Sequence, residues 1–247
     1  NEALQMLFNM KDQLVSEVHL AIPNGTSGRC QGDEVADYVT RNCLFMRDYP
    51  LTRTGLRQAM EDGYASVLTV WDGQTTLDSG DEDIAEWESA HTEVTVSFPV
   101  GVPQAAFNLA VAKDESGEFI IDAISTDGGY LPRNISVQRT WAMTQLDALT
   151  PLEMSAKLSW NPSRMFGLTR KGHLSPDADA DVTVVDPNTG RPILSLVAGN
   201  PIMQDGRSLG RGGTLLVTSE GEAAACRSGL GHQVVDLSSS KLYQGYI

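Results

Sequence analysis

Long apolar runs are missing from this chain. Nothing in its 247 residues approaches the ~20 consecutive apolar residues of a membrane span. No basic segment with an apolar core opens it, as a secretory leader would. Cysteine is scarce. Cys30, Cys43 and Cys226 are odd in number and lack C-x-x-C spacing, which speaks against a disulfide framework or a zinc knuckle. A reducing compartment, the cytoplasm, is expected. Positive charge is also short, with 18 Lys and Arg against 32 Asp and Glu, a net charge of -14. A nucleic acid backbone rewards the opposite balance, so neither nucleic acid nor membrane is expected as a partner. There is no internal repeat and no low-complexity tract. What remains is 41% apolar and 20% charged, a folded, soluble composition long enough for one large domain or two small ones.

The chain begins N-E-A-L-Q-M-L-F-N-M and reads as if entered mid-fold. Apolar spacing predicts a helix over residues 2–14, with others over 33–44 and 51–61, the last stopped by Asp62-Gly63. Strands are predicted at residues 18–23, 65–71, 93–100 and 118–125. The acidic run D-S-G-D-E-D-I-A-E-W-E lacks EF-hand spacing and reads as a solvated helix face or helix start. T-P-L-E at residues 150–153 supplies an N-cap Thr, a Pro at the first helical position and the Glu of a capping box. Strands alternating with helices up to about residue 165 predict parallel β-α units. Beyond residue 170 short strands separated by Gly and Asn turns follow, with no helix expected between them.

One stretch raises a chemical question. F-I-I-D is followed by A-I-S-T-D-G-G-Y-L-P-R-N, so a strand-like run delivers Asp127 into a glycine loop. On its own, Asp127 is either a turn former before Gly-Gly or a carboxylate presented for acid–base work.

The residues downstream resemble a known ending. N-P-S-R-M-F-G-L-T-R-K-G-H-L-S-P-D-A-D-A-D-V-T-V-V-D-P is similar to the C-terminal part of the amidohydrolase superfamily, which includes dihydroorotases, hydantoinases, and adenine and cytosine deaminases. The matching positions are Asn161, Pro162, Gly167 and Leu168, then Gly172, Leu174, Ala180 and Asp181. V-A-G-N-P-I-M-Q-D-G-R continues the likeness, which covers roughly residues 123–212. The resemblance implies an α/β fold: residues 1–168 as the C-terminal half of a (β/α)8 barrel and residues 169–247 as a small β-sandwich.

It also implies site residues. In the family an Asp at the end of the eighth barrel strand binds or faces the metal and acts as general base, and Asp127 holds the matching place. V-H-L-A-I-P-N-G-T-S-G resembles a fifth-strand pattern whose His is a metal ligand, which points to His19. Gly128 and Gly129 would shape the substrate pocket and Arg133 would meet a carboxylate or carbonyl there, although an exposed loop arginine is the stronger reading of Arg133. A divalent metal is implied, zinc before iron or manganese.

The departures are as informative. The family's H-x-H is nowhere in this sequence, and F-M-R-D-Y-P, the place for a sixth-strand His, offers Asp48 and Tyr49. His91, His173 and His232 are not expected as ligands, and Cys30 has no basic partner nearby in sequence to make it a nucleophile. About four barrel strands are counted where eight are needed. The expectation is therefore a subunit or processed fragment of a metal-dependent amidohydrolase hydrolysing C–N bonds in a cyclic amide, imide or amidine. A complementary chain carrying H-x-H would complete it, in a higher oligomer. The alternatives are a non-catalytic structural or regulatory subunit, and an incomplete barrel closed by homodimerisation.

Overall fold

The computed structural model describes residues 2–10, 14–71, 74–78, 80–126, 135–210 and 213–240. The chain divides into two compact units. One comprises Asn1–Leu20, Phe107–Ser125 and Ile135–Ile247, the other Ala21–Ala106 and Thr126–Asn134. The result is a mixed α/β protein.

The second unit is built on a four-stranded antiparallel sheet. Its order is Asn24–Ser27, Thr95–Phe98, Ser66–Trp71, Gln74–Asp78. The predicted strands at 65–71 and 93–100 are both here, paired antiparallel, which corrects the parallel reading. Alternation of strand and helix constrains direction only when each helix crosses over between sheet neighbours. Here Ser66–Trp71 and Gln74–Asp78 form a tight hairpin instead. Helices Tyr38–Phe45, Arg53–Glu61 and Asp81–Ser89 complete this unit. Leu44, Leu56, Met60, Val67, Trp87, Val96 and Phe98 form its buried core. The Trp87 indole N–H donates to the Gly28 carbonyl at 2.9 Å. The Thr40 hydroxyl donates to the Ser27 carbonyl at 2.7 Å, so the strand end and the Tyr38–Phe45 helix are tied together. The acidic run becomes the Asp81–Ser89 helix, as expected. F-M-R-D-Y-P is no strand: Asp48 sits at φ 58° in a turn, and the Tyr49 hydroxyl donates to Asp62 Oδ2 at 2.9 Å.

In the first unit, Glu17–His19 and Ala123–Ser125 form a two-stranded parallel pair. Only the last three residues of the predicted 118–125 strand are extended this way, while Lys113 and Phe119 make an isolated bridge. A helical stretch follows from Pro151 to Met165, starting on the capping box read from the sequence: Thr150 accepts from the Glu153 amide, and Glu153 accepts from the Thr150 amide. Its middle, Ala156–Trp160, is a π-helical turn leading into Asn161-Pro162. Pro162 has no N–H to donate, so regular i→i−4 bonding is interrupted in this stretch.

Beyond it lies a four-stranded antiparallel sheet of Val182–Val185, Pro192–Val197, Asn200–Gln204 and Arg207–Ser208. Ala198-Gly199 and Asp205-Gly206 turn its hairpins with positive φ at each residue, the geometry of tight primed turns. Leu215–Val217 and His232–Val234 form a separate parallel pair, bridged by the helix Glu222–Ser228. That helix corrects the expectation of strands alone after residue 170. E-A-A-A-C-R-S has only one buried side chain, Ala225, so it lacks the apolar stripe that would have marked it. Among the described residues the strands do not close a barrel, and no helix is long and apolar enough to cross a membrane.

Candidate functional site

The candidate site begins at the C-terminal end of the parallel pair. The register sets Glu17 beside Ala123, Val18 beside Ile124, and His19 beside Ser125. Val18, Ala123 and Ile124 are buried and anchor the strands. The Leu20 amide donates to the Ser125 carbonyl at 3.0 Å, extending the pairing past His19. The strand entrances are locked as well. The Ser16 amide donates to Asp122 Oδ2 at 2.9 Å, and the Asp122 and Ala123 amides both donate to the Ser16 carbonyl.

A second clamp comes from the helical stretch. The Lys157 ammonium donates to the Ile121 carbonyl at 2.6 Å, and Asn161 Nδ2 donates to the next carbonyl, Asp122, at 2.7 Å. Lys157 is fully buried, with its ammonium 3.9 Å from the centre of the Phe119 ring. Burial pulls its pKa down to about 8, against the opposing charges of Asp122 and Glu153. Lys113 pairs with Glu153 at 2.6 Å. With the Thr150 amide, that contact holds the Glu153 carboxyl down at about 2. Sequence reading missed Lys157. Its signal is a lone Lys inside an otherwise small and apolar helix, M-S-A-K-L-S-W.

His19 is where it was expected in one respect, at the end of a strand. It is exposed, with Nε2 2.9 Å from Glu17 Oε1. Its strand is hydrogen-bonded directly to the strand that leads to Asp127. The two therefore cannot be the fifth and eighth strands of a barrel closed in chain order, which corrects that assignment. The Ser125 hydroxyl, beside His19, is buried with no hydrogen-bond partner among the described residues. It too escaped the sequence reading, although it stands two residues before Asp127. Asp127, Gly128, Gly129 and Arg133 lie outside the described residues.

Among the described residues no three His, Cys, Asp or Glu side chains come together to hold a metal ion. His19 with Glu17 does not by itself make a metal site. The other histidines sit elsewhere: His91 in a turn at φ 52°, His173 against the Thr169 carbonyl and the Trp160 ring, and His232 beside Cys226. Cys30 is half-buried, and burial raises its pKa, which does not suit a nucleophile.

The motif residues downstream hold structure together. Asp181 accepts from the Ala198 amide at 2.8 Å and from the Lys171 ammonium, tying the start of one strand to the turn of its neighbouring hairpin. A groove of about 930 Å³ between the Pro151–Met165 stretch and this sheet is lined by Trp160, Phe166, Leu174, Val197 and Ile202, and contains neither His19 nor Ser125.

No family model matches the chain. A dihydroorotase from Pelotomaculum thermopropionicum is 29% identical over 108 residues, 36% of this chain and 25% of that protein. Two crystal structures of D-aminoacylase align over 95% of this chain and 46% of theirs with a TM-score of 0.51, at 13% and 12% identity. One of these describes a binuclear metal centre in that enzyme, and the other places it in a subset of amidohydrolases. A D-aminoacylase mutant with copper chloride aligns over 85% of this chain and 44% of its own, with a TM-score of 0.50 and 13% identity. These likenesses support the resemblance to the amidohydrolase superfamily read from the sequence. The chain spans a quarter of the curated relative and under half of the solved enzymes. The structural likeness carries the fold, and the sequence likeness to a dihydroorotase covers about a third of the chain.

Proposed function

We propose that this chain contributes one side of the active site of a metal-dependent hydrolase, with Asp127 as general base and His19 as a metal ligand. The observation supporting this is the parallel pairing of the two strands. His19 ends one strand level with Ser125 on the other. Asp127 follows Ser125 by two residues in sequence. The C-terminal ends of neighbouring parallel strands are where α/β enzymes gather catalytic side chains.

In this reading the Asp127 carboxylate takes a proton from the attacking water and returns it to the leaving nitrogen. Glu17 holds His19 through Nε2, which orients the ring and leaves Nδ1 without a hydrogen bond among the described residues. Gly128 and Gly129 let the backbone approach the substrate, and Arg133 meets a carboxylate or carbonyl on it. The resemblance to a dihydroorotase supports a cyclic amide, imide or amidine as the substrate class. A divalent metal, zinc before iron or manganese, needs ligands beyond the described residues. We assign these to a complementary chain with H-x-H, in a higher oligomer. The barrel-half and sandwich division at residue 168 belongs to the same proposal.

The test is native mass and metal content, followed by Asp127→Ala assayed on a panel of cyclic amides. A second polypeptide with bound divalent metal, and hydrolysis abolished in the variant, is the expected result. A lone chain without metal, or hydrolysis unchanged in Asp127→Ala, overturns the reading.

A further inference from the structure

Three free thiols occupy three different environments. Cys43 is buried, and burial together with the Asp37 charge raises its pKa. Cys30 is half-buried, with its pKa raised by burial. Cys226 is exposed on the helix Glu222–Ser228, and its Sγ lies 3.7 Å from His232 Nε2. A nucleophile within hydrogen-bond reach of a base is the arrangement that activates thiols.

Both partners are held by backbone structure. Ala225, next to Cys226, is buried and seats the helix. Gly229 ends the helix in the left-handed conformation, its amide donating to the Cys226 carbonyl at 3.3 Å. His232 opens a strand paired in register with Leu215, and the Leu215 amide donates to the Gly231 carbonyl at 2.9 Å. Six residues apart in sequence, the thiol and the imidazole are thus brought together by a helix, a glycine turn and a strand.

We propose that Cys226 and His232 form a thiol-exchange site that takes low-molecular-weight disulfides. The Cys226 proton passes to His232 Nε2. The thiolate attacks one sulfur of the disulfide, a new Sγ–S bond forms, the old S–S bond breaks, and the departing thiolate takes up the proton from His232. The incoming disulfide supplies the oxidation, so no further oxidant is needed. Cys226 is the only cysteine of its compact unit. With no resolving thiol in that unit, the product stays a mixed disulfide. The proposal involves neither Asp127 nor His19, and it holds whether or not the chain is catalytic.

The test exposes the folded chain to a chromogenic aromatic disulfide and maps the label by peptide mass. Cys226 is expected to react first, at least about tenfold faster than Cys30 or Cys43, because it is exposed beside an imidazole while they are half-buried and buried. His232→Gln should slow Cys226 by about tenfold. Equal rates with and without His232, or labelling of Cys30 ahead of Cys226, overturns the proposal. If His232→Gln unfolds the chain, Cys43 becomes labelled as well, and the ranking of the three thiols in the unaltered protein decides.

Discussion

The ammonium of Lys157 donates to the carbonyl of Ile121 at 2.6 Å with the whole side chain buried. A carbonyl and an aromatic face repay only part of the hydration that the charge gives up. The folded pKa of about 8, against 10.5 in the unfolded chain, records that shortfall. Because the depressed group is a base, the folded state holds fewer protons than the unfolded state between these two values. Stability therefore rises with pH across that window. The gain is about 3 kcal/mol between neutral pH and pH above 10.5. Lys157→Met carries no such group. Urea unfolding of both chains from pH 7 to 10.5 should show the wild type gaining on the variant. A constant difference would mean that Lys157 is not desolvated.

Glu153 has the opposite sign. Its carboxyl is held near 2 by Lys113 and the Thr150 amide, below the ordinary 4.5. The stabilisation is complete above pH 4.5 and is lost as pH falls toward 2. Lys113 is partly exposed, so screening reduces the effect to about 1–2 kcal/mol. Glu153→Gln should remove this dependence and lower stability at neutral pH, read by thermal unfolding at pH 3 and pH 7. A variant that tracks the wild type at both values would contradict the assignment.

These two residues also show what could be read beforehand. Thr150-Pro151-Leu152-Glu153 announces a capped helix because all the atoms of the cap lie within four residues. The Arg53–Glu61 helix was legible from equally local signals, its apolar spacing and the Asp62-Gly63 stop. Pairing direction was not, since Ser66–Trp71 and Thr95–Phe98 have the same strand-like composition in a parallel or an antiparallel sheet. Nor was the Lys157 contact, because Ile121 lies 36 residues away. At the candidate site, His19 at a strand end was legible, but its pairing with Ser125 spans more than 100 residues and depends on the fold.

Gly55 sets local propensity against packing. It lies inside the Arg53–Glu61 helix, where Ala is favoured over Gly by about 1 kcal/mol. An added Cβ would stand 2.0 Å from the Pro50 carbonyl oxygen, which is backbone and cannot rotate away. The clash should win. Gly55→Ala is expected to destabilise by about 1–3 kcal/mol, as overpacked sites do. A raised melting temperature would show that the Pro50 segment moves freely.

Gly172 and Gly206 separate two costs that usually arrive together. Their φ values are nearly equal, 80° and 79°. Either glycine replaced by Ala pays the left-handed conformation, about 1–2 kcal/mol. At Gly206 no described residue lies within 4 Å of the new Cβ, so the conformation is the cost that the structure shows. At Gly172 the Cβ would also stand 2.5 Å from the Ser159 carbonyl oxygen and from the Ser163 hydroxyl. Ser159 belongs to the π-helical turn that carries Lys157, so relief of the clash must disturb that turn. Gly172→Ala should therefore cost clearly more than Gly206→Ala. It should also speed hydrogen exchange in the Ala156–Trp160 segment, where Gly206→Ala leaves exchange unchanged. Equal losses and equal exchange would show that the approach of Gly172 to this helix is loose, and that the motif glycine serves its turn alone.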